Sequence, residues 1–334
     1  MRRLFWIIPV LSLLAGCSRP MIAAFGSNSE IVIVTSPRCI DQATVLKSIL
    51  ERDILTVQHE QAFEVRLATT ADIRPERSRK NIILLDFLRP ESLITDAILS
   101  VAGRDKDAFL EGRLNRKEMH DRWARGQVLL VIATETQRDL EDLLARESDA
   151  IFSFVSDAVQ RRLNRSLFNA GEQKEVSQRL SDSYGWELRL PPRYKVDESH
   201  AAERVIKIQA DRPARMITVY WEDGSWDDMA GTCLERKKML AWEFWDQDEL
   251  VEESLNVGEG RFGERDCIVL SGTWDNKKYT IGGVFATYCF TCSACNRTYL
   301  VDASVFAPGL EKLPLVRELR AILATFRCCS PQQR

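Results

Sequence analysis

Residues 81–87 read Asn-Ile-Ile-Leu-Leu-Asp-Phe, and residues 128–133 read Val-Leu-Leu-Val-Ile-Ala. Neither run alternates. A half-buried strand shows every second residue to water, so short unbroken apolar runs of this kind are the mark of strands covered on both faces. Working outward, residues 30–34 (EIVIV) form another β-branched run before Ser36-Pro37 breaks it. Phe63, Val65 and Leu67 alternate with Glu64, Arg66 and Ala68, which predicts a half-buried strand. Helical patterns lie between these runs. Asp41 can cap a helix to about Arg52, with Val45, Leu46, Ile49 and Leu50 on one face. A shorter helix fits Leu93 to Val101, and the charged stretch from Arg104 to Arg125 reads as further helix or loop. A long helix carries Leu140, Leu143, Leu144, Ile151, Val155, Val159, Leu163 and Leu167 at near 3.6 spacing. Gly171 interrupts it, and a second helix reaches Tyr184. Strands alternating with helices predict an α/β unit with a mixed sheet.

At Gly185 the pattern changes. Trp186, Leu188 and Leu190 alternate before Pro191-Pro192, and strand-like stretches follow at 203–209, 215–221, 261–275, 281–290 and 297–306. One helix interrupts them at 227–246, and an amphipathic helix from Leu313 to Phe326 closes the chain. Sequential strands with few helices between them predict an antiparallel sheet packed on helices, an α+β unit. Its outline is similar to the Mog1/PsbP-like architecture, a likeness of fold that implies no activity. The expected organisation is therefore a leader at 1–16, a tether at 17–29, an α/β domain at 30–185 and an α+β domain at 186–329.

The leader is the clearest signal of location. Arg2 and Arg3 precede the apolar run Leu4 to Leu14, which is shorter than the ~20 residues a spanning helix needs but suits a signal peptide. It ends in Leu14-Ala15-Gly16-Cys17, which resembles the lipobox of bacterial lipoproteins. That resemblance implies cleavage before Cys17 and a diacylglyceryl group on its thiol, with acyl chains such as palmitate as the anchor. Losing Arg2 and Arg3 from 46 basic residues, against 49 acidic ones, leaves the mature chain at −5. Ser18 follows the lipid-bearing cysteine, so no acidic retention residue stands there, which favours the outer membrane with the protein facing the periplasm. Within the whole chain of 334 residues, 45% apolar and 28% charged, nothing points to nucleic acid, because a formal charge of −3 gives no basic surface for phosphates.

Several short motifs recur together: the lipobox, Asp121-Arg122-Trp123-Ala124 with Gln127, and Leu190-Pro191-Pro192-Arg193-Tyr194. Trp274, Gly282-Gly283 with Phe285, and Ala307-Pro308 with Lys312 complete the set. Together they resemble an uncharacterised bacterial lipoprotein family defined by a domain of unknown function. The resemblance spans nearly the whole mature chain and brings no activity, cofactor or catalytic residue with it.

Three sets of residues could carry chemistry. Cys289, Cys292 and Cys295 have the C-x₂-C-x₂-C spacing of a zinc or iron–sulfur ligand run. An exported chain meets an oxidising compartment, however, and the eight cysteines beyond Cys17 suit disulfides better than a metal. Trp221, Trp226, Asp227 and Asp228 place aromatics and acids at a turn before a helix. They read either as a ligand-facing rim or as core residues and a helix cap. Arg161, Arg162 and Arg165 form a basic helix face, either solvated or turned to anionic headgroups. His59, His120 and His200 belong to no recognisable catalytic arrangement, and no nucleophile elbow or phosphate loop is present. These features predict a non-catalytic binding or scaffold protein without cofactor, held to the membrane by lipid and partnered by an envelope protein or cell-wall component. The competing expectation is an envelope hydrolase using carboxylates gathered by folding, and a third is a cysteine-based metal or redox protein.

Overall fold

The computed structural model describes residues 21–56, 58–69, 72–90 and 92–328. The leader, Cys17 and Cys329 lie outside them. The first unit runs through β1 (Glu30–Thr35), α1 (Ile40–Leu50), the hairpin β2 (Asp53–Leu55) and β3 (His59–Gln61), and β4 (Glu64–Thr69). It continues through β5 (Asn81–Phe87), α2 (Leu93–Ala102), α3 (Lys106–Leu110), β6 (Arg116–His120), β7 (Val128–Thr134) and α4 (Gln137–Ser166). Its sheet has the order β4-β1-β5-β7-β6, parallel except for β6. Every residue of β5 and β7 is buried. Side-chain alternation divides them between two cores. Ile83, Leu85, Leu130 and Ile132 meet α1 and α4, while Ile82, Leu84, Leu129 and Val131 meet α2 and α3. Each such side chain contributes roughly 1.5–3 kcal/mol by burial, which is why the central strands carry no polar alternation.

Two local outcomes depart from the sequence expectation. Residues 116–120 of the charged stretch form an edge strand, β6, antiparallel to β7. An edge strand has one open side, so it tolerates Arg116, Lys117 and Glu118 and lacks an apolar signature. The described part of the tether docks along the base of the sheet: Ala24 N donates to Arg125 O (2.9 Å) and Phe25 N to Ser78 O (2.9 Å).

The second unit comprises α5 (Lys174–Tyr184), β8 (Trp186–Glu187), β9 (Lys195–Asp197), β10 (Val205–Asp211), β11 (Ala214–Asp223) and α6 (Met229–Phe244). It continues with β12 (Glu249–Leu250), β13 (Asn256–Phe262), β14 (Arg265–Asn276), β15 (Ile281–Cys292), β16 (Arg297–Phe306), α7 (Leu313–Leu323) and β17 (Arg327–Cys328). The main sheet is antiparallel, in the order β12-β14-β15-β16-β11-β10-β9, with β13 also on β14. The molecule is thus an α/β unit followed by an α+β unit. One sheet face packs on α5 and α7, with Trp186, Phe290, Tyr299 and Phe326 in its core, and the other packs on α6. Leu180 of α5 lies in that first core, so α5 packs with the second sheet although it precedes Gly185. Gly283 lets Trp274 lie against β15: a Cβ there would stand 2.8 Å from the indole nitrogen and closer still to Val305 O.

The two units join at the start of α7. Lys312 N and Leu313 N donate to the buried carboxylate of Glu60 (2.8–2.9 Å), which caps α7 from across the joint. Arg317 Nη2 donates to Ala62 O (2.9 Å), and Gln160 Nε2 to Arg317 O (3.0 Å).

Candidate functional site

A groove of about 340 Å³ opens along this joint, between β2 and α4 on one side and α7 and strands β14 to β16 on the other. Ile54, Phe152, Val284, Ala286, Ala303 and Val316 supply apolar walls. Ser156, Ser254, Ser271 and Thr273 add hydroxyls. Arg317 and Arg320 are its charged residues, and among the described residues that line it there is no carboxylate, histidine or cysteine. That lining can hold a ligand, and beside Arg317 and Arg320 its titratable group is the Tyr288 hydroxyl.

Helix α7 treats its charges in two ways. On one side the buried carboxylate of Glu318 is fully engaged. Tyr194 donates its hydroxyl (2.6 Å), Arg215 Nη1 lies at 3.0 Å and Arg193 Nη2 at 2.6 Å. This explains the Leu190–Tyr194 motif, whose last two residues clamp α7 to the sheet. Burial, with Glu318 beside it, pushes the Tyr194 hydroxyl far above its usual range. On the groove side, Arg317 and Arg320 have no carboxylate partner among the described residues. Arg317 is buried over the Phe63 ring, 4.8 Å from its centre. Burial lowers its pKa to about 10, and the like charge of Arg320 acts in the same direction. Leu315, Val316, Leu319, Ile322, Leu323 and Phe326 are the apolar residues of the helix pattern in the sequence, and neither arginine belongs to it. The spacing of three between the arginines places them on one flank of the helix, but only the joint shows that Arg317 is enclosed there while Arg320 stays exposed at the edge of the groove.

The residues of the expected aromatic rim are dispersed. Trp221 is buried on the α5–α7 face, edge-on to Trp186 at 6.2 Å between ring centres. It offers no surface to a ligand, because its neighbours in the core already occupy it. Trp226 packs on the α6 face, and its indole N–H donates to Glu222 (2.8 Å). Asp228 is the N-cap of α6 and accepts from Gly231 N (2.9 Å), while Asp227 is exposed beside it. Glu222 also accepts from the Tyr220 hydroxyl and Arg236 Nε. Burial works to raise its pKa, but those donors hold it below the usual range. Core and cap account for this segment.

Cys289, Cys292 and Cys295 do not converge on one site. Residues three apart in a strand point to opposite faces, and β15 extends through Cys292. Cys289 bonds Cys233 on the α6 side, and Cys292 bonds Cys328 on the α5–α7 side. Cys295 stands instead with Cys292 and Cys328, the three sulfurs within 4.8 Å of one another. Cys39 and Cys267 are buried thiols, and burial pushes Cys39 up to about 12, which makes it a poor nucleophile. Arg162 is not on a solvated face: it is buried and donates to Gly126 O (2.7 Å), Lys80 O (3.2 Å) and Asn81 Oδ1 (2.9 Å). None of the three histidines lines the groove.

Residues 246–325 match the model of a family described as Domain of unknown function (DUF4837). The resemblance expected from Trp274, Gly282-Gly283, Phe285, Ala307-Pro308 and Lys312 therefore holds over that stretch. No curated protein matches the chain. Two solved structures align with it at a TM-score of 0.29 each. One, from Bacteroides thetaiotaomicron, is 11% identical and covers 45% of this chain and 47% of its own, so this chain spans about half of its length. The other is LpqN of Mycobacterium tuberculosis, described as involved in cell envelope biogenesis; it is 10% identical over 43% of this chain and 83% of its own. Among the described residues no helix is long and apolar enough to cross a membrane.

Proposed function

We propose that this chain is a bacterial envelope lipoprotein, acylated at Cys17, that acts by binding rather than by catalysis. In this reading it faces the periplasm from the outer membrane, with the lipid on Cys17 as its sole non-protein group. The groove at the joint receives an envelope component with an apolar body and an anionic end. The observation that carries this is the pairing of apolar walls with Arg317 and Arg320, two cations without a carboxylate, in a groove lined by no acid–base pair. Buried Arg317 and exposed Arg320 are like charges that repel each other, and an anion set between them relieves both that repulsion and the burial cost of Arg317. A hydrolase reading needs two carboxylates, or a histidine with a partner, facing one cleft, and this groove supports neither.

The test is native mass spectrometry of purified protein after incubation with an envelope lipid extract. The wild type should retain an adduct that Ala303→Trp, which fills the groove, loses. Adduct retained equally in both forms, or absent from both, would overturn the proposal. Circular dichroism of the variant checks that the fold survives.

A further inference from the structure

Met21 stands four residues beyond Cys17. A chain spans at most about 3.6 Å per residue, so a lipid on Cys17 keeps Met21 within roughly 15 Å of the bilayer. That tether decides which end of the molecule meets the membrane: the base of the parallel sheet, where the strands β5 and β7 begin. The residues gathered there suit a lipid surface. Met21, Ile22 and Phe25 are 46%, 62% and 50% exposed. They are held in place by the docking of their backbone, with Arg125 N donating to Ile22 O at 2.7 Å. Arg122 and Arg125 are exposed on the adjoining loop. Arg165 is exposed at the last turn of α4, one turn beyond Arg162, whose guanidinium is pinned to the carbonyls of the base. None of Arg122, Arg125 and Arg165 has a carboxylate partner among the described residues. Most acids of this end are already engaged, Glu64 at the exposed start of β4 being the exception among the described residues. Glu30 and Glu76 pair with Arg66 and Arg79, and Asp121 accepts from the backbone of Gly126 and Gln127.

We infer that this base is a membrane-apposed surface for anionic phospholipid, with Arg122, Arg125 and Arg165 on headgroup phosphates and Ile22 and Phe25 in the interface. The inference rests on the anchor at Cys17 for its orientation, and it adds a second contact to that anchor. The diacylglyceryl anchor holds the chain to the bilayer by itself, and a basic patch beside it fixes the angle at which the protein stands. Each arginine near an anionic surface is worth roughly fivefold in partition, so the three together supply on the order of 100-fold.

The experiment uses the mature chain carrying Cys17→Ser, which cannot be acylated, sedimented with vesicles. Phosphatidylcholine vesicles are compared with vesicles containing phosphatidylglycerol. Binding should be at least about tenfold stronger to the anionic vesicles, and it should weaken as salt rises. It should fall on the order of 100-fold in the triple variant Arg122→Gln, Arg125→Gln, Arg165→Gln, and should fall as well in Ile22→Ser with Phe25→Ser. These side chains are exposed, so thermal unfolding of the variants should stay close to that of the parent. Equal binding to neutral and anionic vesicles, or binding undiminished in the triple variant, would overturn the surface. Fractionation of cells expressing the Cys17 form separates this failure from that of the anchor. A membrane-bound Cys17 form with vesicle binding absent removes the surface alone, whereas a soluble Cys17 form removes the anchor and the orientation with it.

Discussion

In the parallel sheet, buried polar groups sit at the strand ends. Asn81 and Arg162 close the base, and Asp86 near the end of β5 accepts from Ser36 Oγ (2.8 Å) and Ser92 Oγ (3.2 Å). Burial raises the Asp86 pKa against those hydrogen bonds. The antiparallel sheet places an ion pair within the β15–β16 ladder instead. Lys237 of α6 lies 2.9 Å from Asp302 of β16, and Thr287 and Ser304 donate to the same carboxylate (2.6 and 2.8 Å). Both partners are about 95% buried. The difference follows from connection chemistry. Helices cover both faces of both sheets, and in the parallel sheet Ser36 and Ser92, the partners of Asp86, stand outside the strands at the sheet's end. Hairpin-linked strands instead set Thr287 directly opposite Asp302 in the ladder, so a carboxylate can be satisfied within the sheet.

The largest expected effect tests that contrast. Asp302→Ala leaves Lys237 buried and unpaired, and should cost about 3–5 kcal/mol in urea unfolding. A double variant, Lys237→Met with Asp302→Leu, should recover most of the loss. If the single variant is no less stable than the double, the pair is not the polar centre of that sheet. A smaller effect probes the joint between the regions. Glu60→Ala strands the buried N–H groups of Lys312 and Leu313, and should cost about 1–3 kcal/mol. Hydrogen exchange should quicken at the first turn of α7 while β5 and β7 stay protected; uniform quickening would show that the two sheets open as one. The smallest effect concerns Asp248, whose pKa burial raises from 3.8 to about 6. Between those values the folded form holds a proton that the unfolded chain has lost, so stability falls as pH rises from about 4 to 6 and then levels. Asp248→Asn should remove that slope and stabilise the protein above pH 6, by less than about 1 kcal/mol because the carboxyl is partly exposed and water screens it. An unchanged slope from pH 4 to 7 would assign it to another group.

Much of the architecture was legible in the sequence. The unbroken runs at β5 and β7, the alternation in β4 and the long spacing pattern of α4 each follow from burial alone, and burial is written residue by residue. Edge strand β6 was not legible, since a strand with one open side carries no apolar signature. The packing of α5 is hidden from the sequence for a related reason. Leu180 marks a helix with an apolar side, but nothing in the helix says which sheet that side meets.

The site was less legible than the fold. C-x₂-C-x₂-C spacing suggests convergence only if the segment is a turn; in β15 the same spacing sends Cys289 and Cys292 to opposite faces. Trp221 and Trp226 also part, Trp221 from strand β11 to the α5–α7 face and Trp226 from the loop beyond it to the α6 face. Arg317 carries no sign of burial in the sequence, and only the approach of Glu60 and Ala62 to the start of its helix encloses it. Sequence alone carries the class and the order of the two units, and it supplies the expectation at Cys17, because composition, periodicity and short motifs act locally along the chain. Tertiary structure alone decided which cysteines pair, which arginines go without an acid and where the groove lies. Those outcomes depend on distances between residues as far apart as Glu60 and Lys312, which no local pattern encodes.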